Sequence, residues 1–190
     1  FFIPLILLIL IILLILSILT NRNAERIMTE TVNLNSWVDL DNSFIIDSEE
    51  DTKGYSIRVV DATPMTEEDF IDEFGNSAID GNSNENDTFL ILDVEIRNEN
   101  NQNGKLMFMW CQLFDNTLSV PAYISENKLK ITEPAFSEAL TDSIIIKQQS
   151  SYTVRLPYLL NSKYQNYWNR NTFQLLITKY PVRKIIEIAI

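Results

Sequence analysis

Thr88–Asn98, TFLILDVEIRN, decides the fold. Leu90, Leu92, Val94 and Ile96 fall on one face of an extended chain and Asp93, Glu95 and Arg97 on the other, the period of two of a half-buried β-strand. The loop ENNQNG at 99–104 leads into 105–114, KLMFMWCQLF. That run is apolar on both faces and is therefore expected at the centre of a sheet. Outward from this pair, short β-rich runs at 37–47, 55–62, 118–122, 142–148, 152–158, 172–180 and 183–190 alternate with clusters of Asn, Asp, Gly and Ser. Strands of this number and spacing predict an all-β sandwich rather than a βαβ protein. Pro157 places its strand end at a sheet edge or bend. Trp37, Phe108 and Trp110 are expected in the core, Trp110 on the central strand.

One short helix interrupts the strands. Residues 66–75 read TEEDFIDEFG. Thr66 suits the N-cap and Asp69 can reach back as in a capping box. Glu67, Glu68 and Asp69 fill the electropositive first turn. Phe70, Ile71 and Phe74 form one apolar stripe, and Gly75 ends the helix. It is expected to lie as a lid over the open end or flank of the sandwich. A second turn or helix at 162–170 carries Tyr164, Tyr167 and Trp168 at i, i+3 and i+4.

The N-terminal segment, FFIPLILLILIILLILSIL from Phe1 to Leu19, contains no charge. As a helix it would span roughly 29 Å, close to the hydrocarbon thickness of a bilayer. Backbone groups unpaired in lipid are costly enough to impose helix there. A cleaved signal peptide would have a shorter apolar region and a small-x-small site, and Ser17-Ile18-Leu19-Thr20 is a poor one. A lipoprotein would need a cysteine just after the apolar run, and the single cysteine is Cys111. The expected organisation is a transmembrane helix at 1–19, a stalk at 20–36 and a β-sandwich domain at 37–190. The partner of the first segment is the lipid bilayer. The flank 20–36 carries Arg22 and Arg26 against Glu25 and Glu30, so positive-inside counting gives no orientation. The expectation of a single-pass membrane protein with its C-terminal domain extracytoplasmic rests on the mass that follows one N-terminal apolar segment.

Composition removes several classes of function. The chain has 190 residues, no His and a formal net charge of -11. Without His there is no Ser-His-Asp or Cys-His pair, no imidazole base and no imidazole zinc ligand. One cysteine cannot form an intrachain disulfide or a CxxC metal knuckle; Cys111 reads as a structural thiol. Four separated glycines provide neither a Walker A loop nor a GxGxxG turn. The negative charge argues against nucleic acid as a partner. Between residues 37 and 104 there are 18 acidic and 3 basic residues, and between 105 and 190 there are 6 acidic and 10 basic.

Three groups of residues are candidate sites. Asp80, Asn82, Asn84 and Asn86 place oxygen side chains at alternate positions of a polar loop, a weak calcium pattern without the Gly and Glu positions of an EF-hand. Otherwise no cofactor is expected. Glu67, Glu68, Asp72 and Glu73 offer carboxylates for a glycosidase-like pair, but on a helix side expected to face water. Tyr164, Tyr167 and Trp168, set among amides, suit a sugar- or peptide-binding platform; the same stripe could instead dock its segment onto the sandwich.

The runs SIRVVDATPMTEEDFIDEFG, LILDVEIRNEN, FMWCQLF, YTVRLPY and LLITKYPVRKIIEI resemble a family of uncharacterised membrane-anchored or secreted proteins of low-GC Gram-positive bacteria. The resemblance covers 37–190 and implies an immunoglobulin-like sandwich outside the membrane, with no catalytic residues assigned. KQQSS at 147–151 lacks the Pro-Gly turn such domains often carry there. The expected function is a non-catalytic binding or accessory module of the cell envelope, with an envelope protein or glycan as partner. The alternatives are a carboxylate-based hydrolase and a membrane regulatory or immunity-type protein.

Overall fold

The computed structural model describes residues 11–16, 27–46, 48–75, 87–102, 106–134, 144–168 and 171–190. In chain order the elements are β1 (Met28–Asn33), β2 (Val38–Asp39), β3 (Tyr55–Thr66), α1 (Glu67–Phe74), β4 (Thr88–Asn98), β5 (Gln112–Asp115), β6 (Pro121–Ile124), α2 (Glu126–Thr132), β7 (Ser150–Leu160), β8 (Thr172–Thr178) and β9 (Val182–Ala189). The strands form one nine-stranded sheet in the order β1-β9-β8-β5-β6-β7-β4-β3-β2.

The sheet is nearly closed. β6 is its corner: Pro121 and Ala122 pair with β5, and Tyr123 and Ile124 pair with β7. At the other side Phe44, just past β2, bridges to Tyr180 beyond β8, and the Asn35 N–H donates to the Val59 carbonyl at 2.9 Å. The buried Lys184 of β9 donates to the Asp39 carbonyl of β2. The domain is all-β as expected, but in place of an immunoglobulin-like sandwich of two layers the strands form one nearly closed sheet curled around the main core. Leu92, Val94, Leu113, Val154, Leu156, Leu175, Ile186 and Ile188 all belong to that core.

β4 occupies the position its sequence predicts. It pairs along its whole length with β3 on one side and β7 on the other. Leu90, Leu92, Val94 and Ile96 enter the main core. Phe89 and Ile91 point the other way and, with Phe70 of α1, form a second buried cluster joined by Met65, Ile71, Phe74, Ile131 and Leu159. The apolar run FLIL therefore reads as a strand segment covered on both faces, and DVEIRN as one covered on one. α1 lies on this outer face, a flank rather than an open end. Its capping box forms as predicted: the Asp69 N–H donates to Thr66 Oγ1 at 3.1 Å and the Thr66 N–H donates to Asp69 Oδ2 at 3.0 Å. Gly75, at φ 88°, closes it with an N–H donated to the Ile71 carbonyl at 2.7 Å.

α2, which the sequence reading passes over, brings Lys128 under α1. Its ammonium is fully buried, 2.5 Å from Glu67 Oε1, and stands 4.7 Å from the Phe70 ring and 5.2 Å from the Phe89 ring. Glu67 therefore turns inward instead of lining a solvated helix face.

Further expectations are corrected. Residues 28–33, within the stretch read as stalk, form β1, which pairs in parallel with β9 from Met28↔Val182 to Asn33↔Glu187. Residues 105–114 do not make one central strand: Leu106 bridges to Ile144, Phe108–Trp110 is a 3-10 turn, and only then does β5 begin. Trp110 is consequently 48% exposed and no core tryptophan. Trp37 is only half-buried, with the Arg58 and Arg97 guanidinium carbons 4.6 and 4.4 Å from its ring centroid. Pro157 lies inside the sheet, but its carbonyl accepts from Ser125, just beyond the end of β6. The absent N–H thus falls where no partner strand continues. Among the described residues no helix is long and apolar enough to cross a membrane. Of the apolar segment 1–19, only 11–16 is described, and it is helical and exposed; the remainder lies outside the described residues.

Replacing Lys128 by Ala leaves Glu67 facing the Phe70–Phe89 cluster without its counter-charge, and is expected to cost about 3 kcal/mol. Lys128→Met combined with Glu67→Gln should recover most of that loss. The shift of the urea midpoint at constant slope measures both.

Candidate functional site

A concavity lies at the end of the sheet where β4 starts and β9 finishes. Pro64, Met65 and Thr66 of β3, Thr88 of β4, Leu160 of β7 and Phe173 of β8 contribute to its wall, together with Trp168, Gln165 and the C-terminal Ile190. Its volume is about 270 Å³, room for a small group or one residue of a polymer.

Two local devices shape it. Asp87, buried before β4, accepts from the Ser162 N–H at 2.8 Å and ties the turn after β7 to the start of β4. Asn161 caps the 3-10 turn Ser162–Tyr164 through its side chain, and its carbonyl accepts from Trp168 Nε1 at 3.2 Å. Trp168 stacks on Phe173 with centroids 6.4 Å apart and planes at 21°.

The predicted aromatic platform is therefore split. Trp168 is 8% exposed and acts as the anchor of its segment, while Tyr164 and Tyr167 are 39% and 43% exposed. The docking reading describes Trp168, and the two tyrosines are left accessible. Segment 162–170 is a 3-10 turn followed by one helical turn, Gln165–Trp168, so it turns Trp168 inward and leaves the tyrosines outside.

Asp69 is the carboxylate lining the concavity. The Thr66 hydroxyl and backbone N–H hold its pKa below the ordinary carboxylate value, which suits an anion committed to capping. The acidic residues considered for catalysis separate. Glu67 goes to Lys128 and Glu73 to Arg155 at 3.0 Å; Glu68 and Asp72 are exposed. Arg155 also meets Asp93, its cross-strand neighbour, at 3.0 Å, and this bond to Asp93 chiefly raises its pKa. The calcium candidates Asp80, Asn82, Asn84 and Asn86 lie outside the described residues. Among the described residues no three His, Cys, Asp or Glu side chains gather as a metal site. The concavity's hydroxyls, amides and aromatic edge suit a ligand with both polar groups and an apolar patch.

Cys111 is buried beneath the opposite end of the sheet. Burial, with a smaller contribution from Glu50, pushes its thiol up to about 12. Neither α2 nor Lys128 carried a sequence signal for a buried role, because Lys in a mixed polar run normally marks a solvated face.

The model of a family described as a domain of unknown function (DUF5028) matches residues 29–184. No curated protein matches the chain. Among solved structures, a Bacillus subtilis subsp. subtilis str. 168 protein (ycdA), provisionally described as a lipoprotein, is similar at 12% identity with a TM-score of 0.41, over 71% of this chain. The match spans 36% of that protein.

Thr66→Ala is expected to cost about 1 kcal/mol. It should also move the Asp69 pKa up toward the ordinary carboxylate value. A depressed folded pKa contributes stability that is full above the ordinary value and is lost as pH falls through the folded one. NMR titration of the Asp69 carboxyl in both proteins reads the shift, and acid unfolding of Thr66→Ala should begin at higher pH. Cys111 should resist an aromatic disulfide reagent at pH 8 until denaturant is added; rapid labelling of the native chain would contradict its burial.

Proposed function

We propose that this chain, which belongs to the DUF5028 family of domains of unknown function, is a single-pass, membrane-anchored module of the cell envelope. Its β-domain stands outside the membrane and binds an envelope component without catalysing a reaction. The observation that carries this reading is the uncharged apolar run from Phe1 to Leu19. As a helix it matches the bilayer core at roughly 29 Å.

The fold supports the arrangement. β1 and β9 run in parallel and start together at Met28 and Val182. The chain therefore enters the domain at one end, and Ile190, past the end of β9, lines the concavity at the other. A ligand taken there is presented away from the anchor, beside the exposed Tyr164 and Tyr167. A non-catalytic role is supported by the engagement of Glu67, Asp69 and Glu73 in pairing and capping, which leaves them poorly suited to proton transfer. The preferred ligand is a glycan or peptide segment of the envelope, since tyrosine faces beside amides match alternating apolar and polar groups.

Alkaline carbonate extraction of membranes should leave the full chain in the pellet, and protease added to intact protoplasts should degrade the domain. Soluble peptidoglycan fragments should change the fluorescence of the full chain in micelles saturably. Tyr167→Ala should weaken the titration several-fold while the fragments are recovered intact. Turnover of the fragments would instead favour a hydrolase.

A further inference from the structure

The end of the sheet opposite the concavity carries large apolar side chains that the core does not use. Ile46 is 47% exposed, Trp110 48%, Ile145 63%, Tyr180 49% and Met28 68%. Strand directions bring them to one end. Met28 pairs with Val182 at the start of β9 and Tyr180 sits in the β8–β9 turn. Phe44, two residues before Ile46, bridges to Tyr180. Trp110 immediately precedes Cys111, which is hydrogen-bonded to the Ile177 carbonyl at the end of β8. Ile144, beside Ile145, bridges to Leu106.

The backbone under these side chains is held firmly. Glu50 Oε1 accepts from the Ile45 and Ile46 N–H groups at 3.3 and 2.9 Å. The fully buried Asn98 donates to the carbonyls of Ile146 and Asn101 at 2.6 and 2.9 Å. Asn101 in turn donates to the carbonyls of Asp51 and Lys53 at 2.9 and 2.8 Å. Gly54, at φ 86°, lies so close to Asn100 that a Cβ there would stand 2.0 Å from its side-chain oxygen. Ordered loops that present tryptophan, tyrosine and isoleucine outward mark an interaction surface.

What covers this surface follows from where the chain leads. Between Leu19 and Met28 lie only residues 20–27, a tether of at most about 30 Å even when fully extended. On the reading that residues 1–19 span the bilayer, this end of the domain is the one held next to the lipid headgroups. Charges near it are mixed: Lys53, Lys147 and Lys179 stand among Asp41, Glu49 and Asp51, so attraction to anionic lipid is not the driving force. Trp and Tyr side chains favour the membrane–water interface, where their apolar rings and polar edges are both satisfied.

We infer that the domain rests on the bilayer into which its own anchor inserts, with Trp110, Tyr180, Ile46 and Ile145 seated in the headgroup interface. This rests on the anchored reading above. It fixes the domain's tilt and points the concavity away from the membrane.

The test uses the full chain reconstituted in phosphatidylcholine nanodiscs with a spin label on the lipid headgroup. Trp110 should dominate the quenching of tryptophan fluorescence. Trp110→Phe should lose most of that quenching, and it should persist at high salt. A tryptophan placed at the far end, Tyr167→Trp, should add emission that is not quenched. Ile145→Asn with Tyr180→Asn, both at exposed positions, should reduce the quenching of Trp110 while the circular dichroism is unchanged. A chain that inserts but shows no quenching of Trp110 overturns the inference while leaving the anchor standing, and assigns the apolar end to a protein partner instead. A chain that fails to enter nanodiscs at all overturns both.

Discussion

β4 has no free edge and, along its first half, no free face. Both of its hydrogen-bonding edges are paired over eleven residues, Thr88 to Asn98, and its Phe89-Leu90-Ile91-Leu92 segment is buried on both sides. A strand in that position requires a layer below it and another above. The layer below is the main core inside the curled sheet. The layer above is made by α1 and α2. Phe70 of α1 meets Phe89 with ring centroids 5.8 Å apart. Lys128 then arises as a packing consequence: α2 has to lie across the same aromatic surface, and its long apolar stem is covered while Glu67 receives the charge.

The charge division along the sequence becomes internal pairing in the fold. Lys128 reaches Glu67, Arg155 reaches Asp93 and Glu73, and Lys184 lies 3.6 Å from Asp41. Each cation comes from the basic second half and each of these carboxylates from the acidic first half. The curled sheet interleaves β7 with β4 and brings β9 beside β2, so residues distant in sequence face one another. Exposed members of this set contribute little. Lys184 differs, because it is buried and closes the gap between β2 and β9 with its bond to the Asp39 carbonyl.

How much of this was legible depended on whether the pattern carried its own register. Thr88–Asn98 and the capping box at Thr66 were readable because alternation and capping are local rules. β1 was not: MTETVN is mostly exposed, and a parallel edge strand is defined by its distant partner β9 rather than by its own composition. The run FMWCQLF suggested one buried strand, yet the need to turn from Leu106 into β5 uses Phe108–Trp110 as a 3-10 turn, which leaves Trp110 outside. Tyr164, Tyr167 and Trp168 shared one predicted stripe, but one helical turn is too short to keep three rings on one surface. The concavity itself had no sequence signature, since its wall is gathered from β3, β4, β7, β8 and the C-terminus.

Two tryptophans show what local reading leaves undecided. Trp168, whose stripe could either bind a ligand or dock its segment, is drawn in, and at the opposite end of the sheet Trp110, expected inside, is put out. The core explains the first, because the turn after β7 must cover Phe173. The second follows from the turn into β5, which sends Cys111 into the core and leaves its neighbour Trp110 at the surface. A tryptophan at about half exposure is still better covered than in the unfolded chain, so the fold alone tolerates it. What sets Trp110 apart is its company: Ile46, Ile145 and Tyr180 are exposed at the same end, and such a group, unlike a single exposed ring, marks a contact surface.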